Sequence, residues 1–369
     1  YVTSGKPKQF FAGGDIKDML EMDLNVDIEE KTRIYNGLME TKQPLRDLEL
    51  LGVPVAVGIN GPAMGGGFEI ALSCHHRIAL EGVAMGLPEA QIGLMPGAGG
   101  TVRLTRLLGM QQAMPLIAQG RRLTAAKALE KGIIHDTAED EAQMAEKAKV
   151  WIKANPDAKQ PWDIEGYQIP GGLPDDAANQ GFIFFGPAAT MGQTKNLMPA
   201  QNAIYSCIVD SARVDFDTAQ KIEGRYMLSL LLDQTARNMM TAFFLQMEAL
   251  NRGANRPDSF ERTQFTKIGI LGAGQMGAGI ATMAAQKGIE VVIKDINQDN
   301  ADKGKDYAAS VYAKNKRVDE AQAEQFLARI TATDNYADLA DCELVIEAVF
   351  EDRGVKADVT KDTEAVLAN

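Results

Sequence analysis

The chain has 369 residues, 45% hydrophobic and 24% charged, which is enough apolar material for two or three packed cores and unlike a disordered polymer. Its formal net charge of −12 argues against nucleic-acid binding driven by phosphate neutralisation, although an acidic protein still takes a small anionic ligand where a helix start supplies local N–H donors. No apolar run reaches the ~20 residues of a membrane span, and Cys74, Cys207 and Cys342 are too far apart for a metal motif or a disulfide framework, so they read as free thiols in a reducing compartment. The opening Tyr1-Val2-Thr3-Ser4-Gly5 has neither an initiator Met nor a signal-peptide pattern and reads as the middle of a longer protein.

Residues 1–135 are glycine-rich. Phe10–Ile16 is a tight turn, Val53–Ile59 a buried strand stopped by Gly61 and Pro62, and Phe68–Ser73 a helix opened by a glycine run. Thr124 caps a helix ending near Gly132, and Glu141–Lys153 is an amphipathic helix. Residues 155–190 are punctuated by Pro156, Pro161, Pro170, Pro174 and Pro187 and read as loop. A long helical stretch follows, with Ala219, Ile222, Tyr226, Leu230, Met240, Phe243, Met247 and Leu250 at helical spacing. Its Met and Phe stripe is read as a face packed on a neighbouring domain in preference to an acyl tunnel. From Thr266 the pattern changes to strand Lys267–Leu271, glycine turn Gly272–Gly279, helix Ile280–Lys287, stop at Gly288 and strand Glu290–Lys294, a βαβ unit.

Two glycine-bearing segments and two glutamates carry the first chemistry. Phe10-Phe11-Ala12-Gly13-Gly14-Asp15-Ile16 and Asn60-Gly61-Pro62-Ala63-Met64-Gly65-Gly66-Gly67-Phe68-Glu69 are turns that bring backbone close to a ligand. Two N–H groups so placed, one at a helix start, form an oxyanion hole for a thioester oxygen. Glu69 lies one turn into the helix, and Glu89 follows in Gly86-Leu87-Pro88-Glu89-Ala90, ahead of Pro96-Gly97-Ala98-Gly99-Gly100-Thr101. Singly these are weak signals, since glycine runs are often plain turns and glutamates are usually solvated.

In this order, from Phe10 to about Gly132, they resemble the crotonase (enoyl-CoA hydratase/isomerase) superfamily. The resemblance implies an α/β fold of the ClpP/crotonase-like ββα spiral type, oxyanion donors at Gly14 and Gly66, and paired catalytic glutamates at Glu69 and Glu89, 20 positions apart as in hydratases of this family. Adding water across a 2-enoyl thioester needs a base for the water attacking Cβ and an acid for Cα. Each donor to the thioester oxygen lowers the barrier by roughly 3–4 kcal/mol in comparable sites. Glu69 is assigned to the water and Glu89 to Cα, the two environments splitting their pKa values, although swapped or shared roles stay open. His75 and His76 follow the same helix and are given no catalytic part. His135 is read as surface or loop.

Gly272-Ala273-Gly274-Gln275-Met276-Gly277 is the second constellation. It follows a strand, opens a helix and is followed by a strand leading to Asp295, 23 positions from Gly272, which is the dinucleotide-binding context. Gly272 permits the turn, Gly274 admits the pyrophosphate, Gly277 lets helix and strand approach, and Asp295 receives the ribose 2′-OH, favouring NAD over NADP. Residues 266–369 resemble the start of the L-3-hydroxyacyl-CoA dehydrogenase family, a Rossmann NAD-binding domain. By that resemblance Gln275 and Met276 also border the cofactor, and Glu351 and Lys356 approach its nicotinamide side. The family's His–Glu base is missing, because no histidine follows His135.

Three regions result: a crotonase domain at 1–187 that opens several strands late, a helical linker at 188–264, and the first part of the NAD-binding domain at 265–369. Their order, with Pro161-Trp162-Asp163 and Ile169-Pro170-Gly171-Gly172 between the domains, resembles the multifunctional β-oxidation enzymes, α subunits of bacterial fatty-acid oxidation complexes among them. The resemblance implies hydration of trans-2-enoyl-CoA to L-3-hydroxyacyl-CoA, NAD-dependent oxidation in the parent protein, a thiolase β-subunit partner in an α2β2-type complex, and a bacterial cytoplasmic location, or a mitochondrial or peroxisomal one in a eukaryote. The competing readings are a Δ3-Δ2-enoyl-CoA isomerase or other lyase fused to an NAD domain, and an inactive CoA- or NAD-binding chain.

Overall fold

A computed structural model describes the chain except for Ala12, Asp15, Asp258, Phe260, Glu261, Arg262, Lys316, Arg317, Ala368 and Asn369. Two of these, Ala12 and Asp15, belong to the Phe10–Ile16 turn, and that part of the expected motif lies outside the described residues. The chain divides into a unit at Tyr1–Asn255 and a unit at Arg256–Asn369. Among the described residues, no helix is long and apolar enough to cross a membrane.

In the first unit the strands are β1 (Val2–Thr3), β2 (Ala56–Ile59), β3 (Ala63–Met64), β4 (His76–Leu80), β5 (Ala84–Gly86), β6 (Leu123–Thr124) and β7 (Asp136–Ala138). β1, β2, β4 and β7 form a parallel sheet in the order β1-β2-β4-β7, while β3, β5 and β6 form a second sheet. The chain therefore runs β2 in one sheet, β3 in the other, helix Gly66–Ser73, then β4 and β5 in the same alternation. This is a turn of a ββα spiral. β2 is buried along its length, as a parallel strand covered on both faces must be. It begins at Ala56 and not at Val53, because Pro54 has no N–H for a ladder and Val53 is exposed.

Two helical features depart from the sequence expectation. Residues 180–190 are not loop but part of helix Gln180–Thr194, with Pro187 inside it. Pro187 cannot donate to the carbonyl of Ile183, and the Tyr205 hydroxyl donates to that oxygen instead at 3.2 Å. The freed acceptor is satisfied, so the helix passes through the proline. The later stripe is divided: helix Phe216–Leu231 ends, Asp233 caps a new helix Gln234–Met240, and a π-helical stretch Thr241–Gln246 leads into Met247–Asn251. Ala219, Leu230 and Met240 are buried, whereas Phe243, Met247 and Leu250 are exposed. Ala200, Ile204, Cys207, Met227, Leu230 and Met240 join one apolar core with Ile59, Phe68 and Leu87.

The second unit is a four-stranded parallel sheet of β8 (Lys267–Leu271), β9 (Glu290–Lys294), β10 (Ile330–Thr333) and β11 (Leu344–Glu347), in the order β10-β9-β8-β11. The order in which strands are added reverses between β8 and β11, the switch point at whose carboxyl ends nucleotides bind in this topology. Helix Gln275–Gln286 follows β8 and buries Ala278, Ala281 and Ala285 against Ile268, Ile270, Val291 and Ile293. It begins within the glycine motif, five residues before the expected Ile280, so the motif supplies the helix's first turn and not merely the turn before it.

Candidate active site

A parallel bridge between Phe11 and Ala63 lays Phe11 beside β3. The approach needs glycine: a methyl on Gly67 would fall 2.1 Å from the Phe11 carbonyl oxygen. Gly13 then comes close to the helix start, where its added methyl would be 3.7 Å from the Gly66 nitrogen. Gly13 has φ near +108°, a conformation glycine adopts at little cost. Gly14 is the next residue and is exposed, with only Met19 within reach of an added methyl. Gly66 opens helix Gly66–Ser73, so its N–H has no helical carbonyl to bond.

Glu69 is 2% exposed. Its Oε1 accepts hydrogen bonds from the Ala98 and Gly100 N–H groups, both at 2.7 Å. Its other oxygen faces the glycine run, 4.0 Å from where a Gly66 methyl would be. Burial, and then the charge of Glu223, push the Glu69 carboxyl up to about 7, against the pull of the two N–H donors. Glu89 begins a short 3₁₀ helix, Glu89–Ile92. The residue keeps some contact with solvent, but its Oε2 is buried without a hydrogen-bond partner. A Gly65 methyl would lie 3.1 Å from Glu89 Oε1 and 3.9 Å from the Gly13 α-carbon. Burial, then the Glu69 charge, raise the Glu89 carboxyl well above the ordinary carboxylate range.

Gly13, Gly65, Gly66, Glu69 and Glu89 therefore border one locus. The two acids differ in kind: Glu69 has two N–H groups that stabilise its anion, whereas Glu89 has an unpartnered buried oxygen that favours the neutral acid. Such a pair can hold a proton on one carboxyl while the other accepts one.

In the second unit Gly272 has φ near +96°, and a methyl on it would meet the Ala348 carbonyl oxygen at 2.6 Å. A methyl on Gly277 would lie 1.8 Å from the Gly272 oxygen, which is the close helix–strand approach the motif requires. Gly274 caps the helix and has open space around its α-carbon, while Gln275 and Met276 are exposed at the helix start. Free N–H groups and unfilled space at a helix start fit a dinucleotide pyrophosphate. Asp295 follows β9 and accepts from the Ala273 N–H at 2.6 Å, which joins the acid to the glycine loop. Lys356 pairs with Glu351 at 2.7 Å and with Glu347 at 3.3 Å.

Residues 2–159 match the family Enoyl-CoA hydratase/isomerase, and residues 267–369 match 3-hydroxyacyl-CoA dehydrogenase, NAD binding domain. The chain thus carries a match to the first family followed by a match to the second. It is 31% identical over 373 residues to the fatty acid oxidation complex subunit alpha of Idiomarina loihiensis, covering 98% of this chain and 50% of that protein. It is 30% identical over 372 residues to the subunit of that name from Vibrio campbellii, covering 99% of this chain and 51% of the relative. The chain thus spans about half the length of the curated relatives it matches. A solved enoyl-CoA hydratase from Bacillus anthracis is 25% identical, covering 71% of this chain and 80% of that one, with a TM-score of 0.37.

Other residues singled out in the sequence have structural work. The His75 ring accepts the Val55 N–H at 2.9 Å and meets the Glu49 carbonyl at 3.0 Å. His76 is stacked between His135 and Trp151, at 4.6 and 4.4 Å between centroids, and His135 itself sits in an exposed bend. Sequence reasoning missed the part of Ala98 and Gly100, quoted only as a glycine motif, and it missed Glu223. The latter is buried on helix Phe216–Leu231 and accepts from the Gly99 N–H at 2.7 Å and the Val102 N–H at 3.1 Å. An acid at a buried position of an otherwise amphipathic helix is its one trace in the sequence.

Proposed function

We propose that the first unit hydrates trans-2-enoyl-CoA to L-3-hydroxyacyl-CoA, and that the parent protein oxidises this product to 3-ketoacyl-CoA with NAD. The observation that carries the reading is the contrast between two neighbouring buried carboxyls, one held by two N–H donors and one unpartnered, beside a glycine-lined helix start. In the reaction the thioester oxygen lies against the N–H groups of Gly14 and Gly66, which oppose the charge that builds there. Glu69, ionised, takes a proton from the water attacking Cβ. Glu89, protonated, delivers its proton to Cα. Water is added across the double bond and both carboxyls exchange protonation states.

NAD supplies the hydride acceptor for the second reaction. The residues that would hold it are Gly272, Gly274, Gln275, Met276 and Gly277 at the pyrophosphate, Asp295 at the ribose, and Glu351 and Lys356 on the nicotinamide side. The domain division proposed is a hydratase part at 1–187, a helical linker at 188–264 and the NAD-binding part at 265–369. The linker helices share the hydratase core. A thiolase β subunit completing an α2β2-type assembly, and a bacterial cytoplasmic location, follow from the kinship with the bacterial α subunits.

The test is a comparison of the purified chain on crotonyl-CoA and on a 3-enoyl-CoA of equal length. Hydration followed by loss of the conjugated thioester absorbance is expected. A strong preference for shifting the 3-enoyl double bond overturns the hydratase reading in favour of an isomerase.

A further inference from the structure

We infer that Glu223, from the helical segment beyond the hydratase-like stretch, is a positioning residue for Glu69, acting through the Ala98–Val102 backbone with Lys42 as its counter-ion. This rests on the hydration reading above. The N–H groups of that backbone strip alternate in direction. Those of Ala98 and Gly100 go forward to Glu69 Oε1, each at 2.7 Å, and those of Gly99 and Val102 go back to Glu223, at 2.7 and 3.1 Å. One strip is clamped between two carboxyl groups, one at the site and one behind it.

The strip cannot hold this shape by itself. It contains Gly99 and Gly100, and Gly99 has φ near +100°. Behind it the Arg103 Nη1 donates to the Ala98 carbonyl at 2.9 Å, and its Nε donates to buried Glu49 at 2.7 Å. Glu223 is fully buried and is matched by the Lys42 ammonium at 2.7 Å, which also donates to the Gln220 carbonyl at 2.8 Å. A buried ion pair is a poor way to join two helices if joining is its whole purpose, because a well-packed apolar pair does as well or better. A neutral pair would, however, leave the Gly99 and Val102 N–H groups without a strong acceptor.

The charges that face Glu69 are Glu89 from the 3₁₀ helix, Glu223 from helix Phe216–Leu231 and Lys42 from helix Ile28–Glu49. Arg103 and Glu49 pair behind the strip. The neighbouring Cys207 thiol is held neutral by burial and by Glu223. Glu223 raises the Glu69 carboxyl and Lys42 lowers it by less, so each half, removed alone, leaves the other acting on Glu69.

The experiment is the pH profile of kcat/KM for crotonyl-CoA hydration in wild type, E223Q, K42M and K42M/E223Q, with E89Q as control. E223Q leaves the ammonium and moves the acid limb to lower pH. K42M leaves the carboxylate and moves it to higher pH. The double variant returns the limb toward wild type. E223A, which also frees the strip, lowers kcat by on the order of tenfold to a hundredfold, with KM changed less than about threefold. Limbs unmoved in both single variants, or moved in the same direction, overturn the inference. If E223Q yields no folded protein, K42M alone decides by the direction of its shift. No hydration by wild type, or full hydration by E89Q, instead overturns the reading on which the inference rests.

Discussion

The Gly100 N–H points at Glu69 Oε1 over 2.7 Å, and a methyl placed on Gly100 would fall 2.8 Å from that same oxygen. The residue that orients the carboxylate thus has to be glycine for the carboxylate to be where it is. Gly100→Ala is expected to displace Glu69 and lower kcat for hydration by roughly tenfold to a hundredfold. NAD binding by the second unit, measured by calorimetry, stays unchanged. Hydration at the wild-type rate would show that Glu69 is not held where the reaction needs it.

Glu89 has no donor to support its anion at Oε2, which supports the proposed role of acid. Glu89→Gln keeps the shape and removes the proton. Hydration of crotonyl-CoA should fall by about 10²–10⁴-fold, with the fold unchanged by circular dichroism.

The raised carboxyls set the pH response. Glu69 is pushed up to about 7 and must be ionised to accept a proton. The hydration rate therefore rises with pH through about 7 and falls only when Glu89, raised well above the ordinary range, loses its proton. For stability the sign is the reverse of the usual carboxylate. A folded pKa above the unfolded one means that the folded state binds more protons between the two values, so stability declines as pH rises through that window. Glu69→Gln, which keeps an acceptor for both N–H groups, should be more stable than wild type at pH 8 by roughly 1–3 kcal/mol, an advantage that disappears below about pH 4. Denaturant unfolding at the two pH values measures it.

Gly277 and Gly274 should separate folding from binding. The methyl of Gly277→Ala would be 1.8 Å from a backbone oxygen, so this variant is expected to destabilise the second unit by roughly 3 kcal/mol or more. The methyl of Gly274→Ala meets nothing within 4 Å, so the unit should melt at the wild-type temperature yet bind NAD at least about tenfold more weakly. Equal NAD affinity in Gly274→Ala would remove the pyrophosphate from that place.

Asp295 accepts the Ala273 N–H, a bond that Asn can keep. Asp295→Asn should hold the loop while losing the charge that repels a 2′-phosphate, narrowing the preference for NAD over NADP by on the order of tenfold. Parallel titrations with the two dinucleotides test it.

The opening βαβ stretch of the second unit was legible in the sequence, whereas the elements after Lys294 were not assigned from it. Strands Lys267–Leu271 and Glu290–Lys294 have the expected bounds, because a buried parallel strand is a short apolar run closed by glycine or charge. Its helix starts earlier than expected, at Gln275. Helix starts depend on capping geometry, which the glycines leave open. Pro187 misled the reading in the other direction: a proline breaks a helix only if its orphaned carbonyl stays unsatisfied, and Tyr205, 18 positions away, decides that.

By itself the sequence determined the local features: where glycine is required, which strands are buried, the order of the two modules and which two acids to propose as a pair. These depend on a few adjacent residues and on their periodicity. Only the tertiary structure decided how the two acids differ, because a buried carboxyl takes its proton affinity from donors and charges that are remote in the chain. Ala98 and Gly100 lie 29 and 31 positions from Glu69, and Glu223 approaches the same strip from 124 positions beyond Gly99. Burial removes the water that would otherwise level such differences, so the fold sets which acid is ionised and which is not.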